Sequence, residues 1–246
     1  MQRLHNARLL WPTLAALAGL AVLIGLGTWQ IERKRWKEGL IATIAARVHA
    51  DPVPLASITV RANGKDDLEY THVSLRGRFQ HDKERYLYTP TPAGQGWHVY
   101  TPLETTEGAL VWINRGLVPD ARKAPATRVE GQVEGEVEVR GLVRLPAGSG
   151  LFSAQNDPGN NIWYWPDVAG MTAAAFPGGV QAAKVLPLVV DADAEPRPPG
   201  GLPRGGVTRL NLPNRHLEYA LTWYGLAAAL AGVYLAFAVN RLRLAG

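Results

Sequence analysis

The sequence predicts a mainly β protein, an antiparallel β-barrel or sandwich held outside the cytoplasm between an N-terminal and a C-terminal transmembrane α-helix. Two uncharged apolar runs of 21 residues predict the helices, Leu9 to Trp29 and Tyr219 to Val239. At about 1.5 Å rise per residue, each just crosses a hydrocarbon core of roughly 30 Å. Between them the period changes to two, with short apolar alternations separated by Gly, Pro, Asp and Asn clusters. That is the pattern of half-buried strands joined by tight turns.

The chain divides on this reading into a cytoplasmic tail (1–8), a first transmembrane helix (9–30), a juxtamembrane helix (31–50), the β domain (51–195), a Pro/Gly-rich linker (196–213), a second transmembrane helix (214–240) and a second cytoplasmic tail (241–246). Arg3 and Arg8 precede the first run, but Gln-Ile-Glu-Arg-Lys-Arg follows it instead of a small-residue cleavage site, so it reads as a retained signal anchor. No serine- and arginine-rich presequence precedes it, which leads us to expect a bacterial inner-membrane protein. Long loops translocate largely regardless of charge, and the domain is expected on the periplasmic side.

Trp36, Leu40, Ile44 and Val48 recur every four residues, and Asp51-Pro-Val-Pro ends that helix. Strands are expected at Thr71 to Phe79, Arg85 to Thr89, Trp97 to Leu103, Ala109 to Gly116, Gly135 to Leu145 and Lys184 to Val190, with a short helix at Val168 to Phe176. Glu195 to Gly206 carries four prolines and four glycines and reads as a linker back to the membrane. Ala15, Gly19, Ala21 and Gly25 in the first span, and Gly225, Ala228, Ala229 and Gly232 in the last, would let helix backbones approach closely. Abundance of Ala and Gly explains the same spacing equally well.

Composition removes several chemistries. With no cysteine there are no disulfides, thiolate metal sites, iron–sulfur clusters or covalently attached haem, and Met1 and Met171 are too few for a methionine-rich copper site. Histidine and carboxylate are left as metal ligands. The net charge of +5 gathers beside the spans, at Arg33, Lys34, Arg35 and Lys37 and at Arg204, Arg209 and Arg215, which suits anionic lipid headgroups and not nucleic acid. No G-x-S-x-G, H-E-x-x-H, Walker A or G-x-G-x-x-G motif gives an enzyme a foothold, and a non-enzyme is expected. His49, His72, His81 and His98 are isolated along the chain, and Asp66, Asp67, Asp191 and Asp193 read as turn or solvated carboxylates.

His216 stands apart because it sits where water-facing chain becomes membrane span. Pro213 and then Asn214 as N-cap would place it in a first helical turn, where the helix dipole favours neutral, ligating imidazole. Tyr219, Ala220 and Trp223 follow on one face, with Ala220 leaving space and the aromatic rings giving flat walls. A planar macrocycle bound through iron could use that face, but so could an interfacial aromatic belt of Tyr219, Trp223 and Tyr224. Both readings stand on the residues alone.

Five segments in order carry a resemblance: Gly27-Thr-Trp-Gln-Ile-Glu-Arg-Lys-Arg-Trp-Lys, Gly96-Trp-His-Val-Tyr-Thr-Pro-Leu, Ile113-Asn-Arg-Gly-Leu-Val-Pro, Asn160-Asn-Ile-Trp-Tyr-Trp-Pro-Asp and Asn214-Arg-His-Leu-Glu-Tyr-Ala-Leu-Thr-Trp-Tyr. Together they resemble the Surfeit-locus family of cytochrome c oxidase assembly factors. Leu117 departs from it, standing where the family usually has Trp. The resemblance implies an assembly factor that binds haem a as transient cargo and assists its insertion into oxidase subunit I, with haem a synthase as a second partner. It makes His216 the axial ligand of the haem iron, with Tyr219 and Trp223 flanking the ring and Arg209 and Arg215 pairing with propionates. A cofactor-free membrane scaffold that holds the nascent subunit is the alternative.

Overall fold

The computed structural model describes residues 9–59, 68–146, 148–150, 153–181, 184–208, 210 and 212–244. The sequence-predicted roles of Asp66, Asp67 and Arg209 therefore lie outside the described residues. The chain forms two compact units, one of residues 1–44 with 211–246 and one of residues 45–210.

The first unit is built from α1 (Leu10–Val48) and α4 (His216–Leu244), both long and apolar enough to cross a membrane. The span and juxtamembrane helix expected separately are one helix of 39 residues, about 58 Å long and so nearly twice a hydrocarbon core. No proline or glycine interrupts residues 28–38, and Lys34 and Glu38 pair at 2.7 Å across one turn, so nothing breaks the backbone where the polarity changes.

The second unit contains β1 (Val53–Pro54), α2 (Leu55–Thr59), β2 (His72–Phe79), β3 (Arg85–Thr91), β4 (Gly94–Thr105), β5 (Leu110–Pro119), β6 (Glu136–Arg144), β7 (Ile162–Trp163), α3 (Val168–Ala175) and β8 (Val185–Ala192). Strands β2, β6, β8, β5 and β4 follow one another, and β4 pairs back onto β2, which closes a five-stranded barrel. Of its five seams, β5 with β8 is parallel, from Leu110↔Val185 to Asn114↔Asp191, where the sequence predicted antiparallel pairing. Alternation fixes which face of a strand is buried but is blind to direction, and the long crossover through β6, β7 and α3 supplies the connection that a parallel pair needs.

The inward residues are those the alternation picks out. Val73 and Leu75 of β2, Leu103 of β4, Val111 and Ile113 of β5, Val139 and Val143 of β6 and Leu188 and Val190 of β8 fill the barrel, and Leu55 and Ile58 of α2 join the same cluster. On the outer face α3 packs over Trp112, Trp163 and Val189, with Asp167 capping its first turn through Gly170 N at 3.0 Å. The Trp112 indole donates to Thr172 Oγ1 at 2.9 Å, which satisfies the polar atom of a fully buried ring.

A buried carboxylate ties the surrounding loops to the barrel. Glu84, 3% exposed, accepts from both guanidinium groups of Arg115 and Arg128 and from the Tyr86 hydroxyl at 3.0 Å, while its backbone oxygen accepts from Asn161 Nδ2 at 2.9 Å. Burial pushes its carboxyl up, but the neighbouring His81, the Arg128 hydrogen bonds and the charges of Arg128 and Arg115 outweigh this and hold it at about 2. Burial weighs on Arg115 from the other side and draws its guanidinium down to about 10.

Gly116 shows why the returning chain lies on the barrel and is not a free linker. Its φ of +114° and its lack of a side chain let Arg204 O lie where a Cβ would stand, and Leu117 then pairs with Arg204 through two backbone bonds of 2.9 and 3.0 Å. Part of the segment expected as a linker thus packs as a strand-like strap. Asp191, expected to be solvated, is 6% exposed and accepts from Asn114, Arg144 and Thr208, because β8 continues into it with its side chain on the same face as Val189.

Two outcomes are expected. Glu84→Gln leaves two buried guanidinium groups without their anion and costs about 3–5 kcal/mol in denaturant unfolding followed by tryptophan fluorescence. Because the folded carboxyl at about 2 lies below its ordinary 4.5, its contribution is complete above pH 4.5 and is lost as pH falls towards 2. Stability measured across that window falls by about 3 kcal/mol more in the parent than in Glu84→Gln.

Candidate functional site

Helices α1 and α4 pack antiparallel, and small residues set their separation. Ala16 and Gly27 of α1 and Ala220 and Ala227 of α4 are buried. A Cβ on Gly27 would overlap the Tyr224 ring and one on Gly19 would meet Leu230, so these glycines admit large side chains from the opposite helix. Thr28 and Tyr224 hydroxyls hydrogen-bond at 3.2 Å, and Thr13 bonds Tyr234 further along. Of the two expected stripes, Gly19 serves this seam, whereas Gly25, Gly225 and Gly232 have nothing within 4 Å of an added Cβ.

At one end of the seam, the half-buried His216 places Nδ1 2.7 Å from Gln30 Oε1. The amide oxygen accepts, so Nδ1 carries the proton and the lone pair resides on Nε2. Among the described residues Nε2 has no hydrogen-bond partner. A histidine whose second nitrogen is held by an acceptor is oriented as metal-ligating imidazoles generally are. Sequence reasoning missed Gln30 as a partner. The signal was its polar side chain immediately after the first uncharged run, at the same membrane edge as His216.

The start of α4 differs from the expected cap. Arg215 O accepts the first helical bond, from Tyr219 N at 3.3 Å, so Arg215 is the N-cap and His216 the first helical residue. Asn214 does not cap; its Oδ1 is buried without a hydrogen bond among the described residues. Lys37 Nζ donates to Pro213 O and fixes the preceding chain to α1. The Arg215 guanidinium lies at the surface, 3.4 Å from Glu218, with both side chains at least 70% exposed.

The other predicted residues divide between two faces. Ala220 is fully buried and leaves no open space beside the imidazole, contrary to expectation, because the face it shares with His216 is the one that meets α1. Tyr219 is 55% exposed and Trp223 half-buried, so both rings stand outside the tightest part of the seam, and neither stacks on His216 among the described residues. The remaining described histidines are all engaged: His49 bonds Ala45 O, His72 bonds Ala50 O and Asp193, His81 bonds Val133 O, and His98 too has a partner. No cluster of three or more metal-ligating side chains occurs among the described residues.

The remaining motif residues hold the barrel together. In Ile113-Asn-Arg-Gly, Asn114 bonds Asp191 at 2.8 Å and Gly116 N at 3.1 Å, and Arg115 meets Glu84. In Asn160-Asn-Ile-Trp, Asn161 turns the chain at φ +53° and receives the Trp163 indole at 3.1 Å. Trp97 donates to Asp120 at 2.7 Å under the Lys123 ammonium, 3.5 Å from the ring centre.

Comparison with known proteins agrees with the family resemblance read from the sequence. The sequence model of the SURF1 family matches residues 17–228, which include both Gln30 and His216. Surfeit locus protein 1 of Mus musculus is 39% identical over 240 residues, covering 90% of this chain and 74% of its own. That of Homo sapiens is 39% identical over 222 residues, covering 83% and 70%. A SURF1-like protein of Monosiga brevicollis is 37% identical over 226 residues, covering 87% and 82%. With a match over most of its length and these identities, the chain belongs to the SURF1 family.

Proposed function

We propose that this protein assists assembly of haem-copper cytochrome c oxidase by carrying haem a on His216 and releasing it to subunit I, with haem a synthase as the donor. The family is known generally for cytochrome oxidase assembly. The observation that carries the finer reading is the Gln30–His216 hydrogen bond at 2.7 Å, which leaves the Nε2 lone pair without a partner among the described residues at a membrane edge. Such a nitrogen, in a chain without cysteine, suits an axial iron ligand.

Bound haem supplies an iron that takes one nitrogen donor and a flat apolar ring with two carboxylates. Gln30 holds the imidazole in one tautomer and orientation. The exposed Arg215–Glu218 pair is weak, so its guanidinium is free to turn to a propionate. Tyr219 and Trp223 offer apolar surface at the outer side of α4, with Arg209 as a second proposed propionate partner. A single protein nitrogen grips reversibly, as cargo transfer requires.

The cofactor-free scaffold has its own support in the open surface at Gly225 and Gly232, which suits close approach of a partner helix. Under that reading Gly225→Leu abolishes recovery of oxidase subunit I in pull-downs while His216→Ala leaves it intact. The proposed site is the bacterial inner membrane with the barrel on the periplasmic side; of this, the two helices able to span support the membrane location.

Protein purified from haem-a-producing cells is expected to show haem absorbance that His216→Ala removes. Gln30→Leu should weaken haem retention by about 10–100-fold without removing it. Unchanged absorbance in His216→Ala would refute the ligand role. For topology, Arg197→Cys gives a unique thiol on an exposed position. A membrane-impermeant maleimide should label it in spheroplasts before lysis; labelling only after lysis would place the barrel in the cytoplasm.

A further inference from the structure

The outer face of the barrel is only partly covered. Helix α3, eight residues and about 12 Å long, packs over Trp112 and Val189. The next residues of those strands on the same face are Asn114 and Asp191, and beside them opens a cavity of about 440 Å³ that Tyr100 and His98 also line. Leu87, Leu145, Pro146, Pro166, Val189 and Val207 give it an apolar wall, and Tyr88, Thr89, His98, Tyr100, Asn114, Arg144 and Asp191 its polar lining. The volume lies in the range of small-molecule sites, which combine an apolar wall with polar groups that fix orientation.

The polar atoms of the lining are nearly all committed. Asn114 Nδ2 donates to Asp191 and its Oδ1 accepts from Gly116 N. Asp191 also accepts from Thr208 at 2.7 Å and from Arg144 at 3.4 Å, and Arg144 donates to Glu69 at 2.8 Å. The exceptions are the hydroxyls of Tyr88, Thr89 and Tyr100, and of these residues only Tyr100 is buried. It is 5% exposed, yet its hydroxyl has no hydrogen-bond partner among the described residues. Burial and the neighbouring Asp191 charge push it far above the usual phenol range, so it remains a proton donor at any physiological pH. On an otherwise buried ring, this hydroxyl opens to the cavity as a donor that an occupant can satisfy.

Charge narrows the class of occupant. The charged groups among the described lining residues are Arg144 and Asp191, which pair with each other, so the lining carries no net charge and offers no anion site. Tyr88 and Tyr100 add flat aromatic surface. We propose that this cavity binds an uncharged, flat, largely apolar molecule with a carbonyl acceptor, the class of a quinone head group, and that the Tyr100 hydroxyl donates to that carbonyl. The inference is independent of the haem reading, since no described residue of the proposed haem site lines the cavity.

The test titrates the full chain in detergent with a dimethoxy-methyl-benzoquinone lacking an isoprenoid tail, and in parallel with dimethoxytoluene, a similar ring without the carbonyls. Saturable binding of the quinone is expected, weakened about three- to tenfold by Tyr100→Phe and abolished by Thr89→Trp, which fills the cavity from β3. Tyr100→Phe should melt no lower than the parent, because the hydroxyl it removes is unpaired; a lower melting temperature would reveal a structural partner for the hydroxyl and overturn the proposal. Equal affinity for dimethoxytoluene, unchanged quinone affinity in Tyr100→Phe, or uptake that fails to saturate also overturns it.

Discussion

A carboxylate buried at the edge of the barrel needs its charge answered, and Glu84 has it answered by chain from several directions. Arg115 comes from β5 and Arg128 from the loop after it, while the Glu84 backbone oxygen separately takes Asn161 from the turn before β7. Removing a charge from water is expensive unless it is paired and hydrogen-bonded, so both arginine-bearing segments are held where they must be for the pairing to be complete. The consequence reaches the outer layer of the domain: Asn161, held by Glu84, receives the Trp163 indole, and Trp163 lies in the cluster beneath α3. One residue thus links strand, loop and covering helix, its carboxylate through the arginines and its backbone through Asn161.

The membrane unit obeys a different constraint. Without water between helices there is no hydrophobic gain from their association, so close packing and hydrogen bonds must hold α1 and α4 together. Gly27 receives the Tyr224 ring, Thr28 bonds its hydroxyl, and Gln30 bonds His216. The same geometry that joins the helices orients the imidazole, so helix pairing and the proposed ligand are mechanically one feature. It also moves the open side of the site, because burial of Ala220 against α1 leaves the Tyr219 side as the free one.

The five sequence segments that suggested the family turn out to do different physical work. Those within the barrel supply its buried polar contacts: Asn114 with Asp191, Arg115 with Glu84, Asn161 with Trp163, and Trp97 with Asp120. The first and last supply Gln30 and His216. A motif of polar residues next to glycine suggests a binding loop when read alone, yet here Gly116 serves the approach of Arg204 backbone and Asn114 the burial of a carboxylate.

Local pattern determined the elements. Apolar length marked the two helices, period two marked the strands and their inward faces, and the position of His216 at a polarity boundary was visible in the chain itself. These are properties of neighbouring residues and follow from side-chain solvation and backbone periodicity. The tertiary structure alone decided the parallel β5–β8 seam, the burial of Asp191 and Glu84, the Gln30 partner of His216 and the unpaired hydroxyl of Tyr100. Each depends on groups far apart in sequence: Gln30 and His216 are separated by 186 positions and Asn114 and Asp191 by 77. Whether a polar side chain is solvated, paired or left facing a cavity depends on what closure of the fold brings beside it, and alternation along a strand carries no record of that.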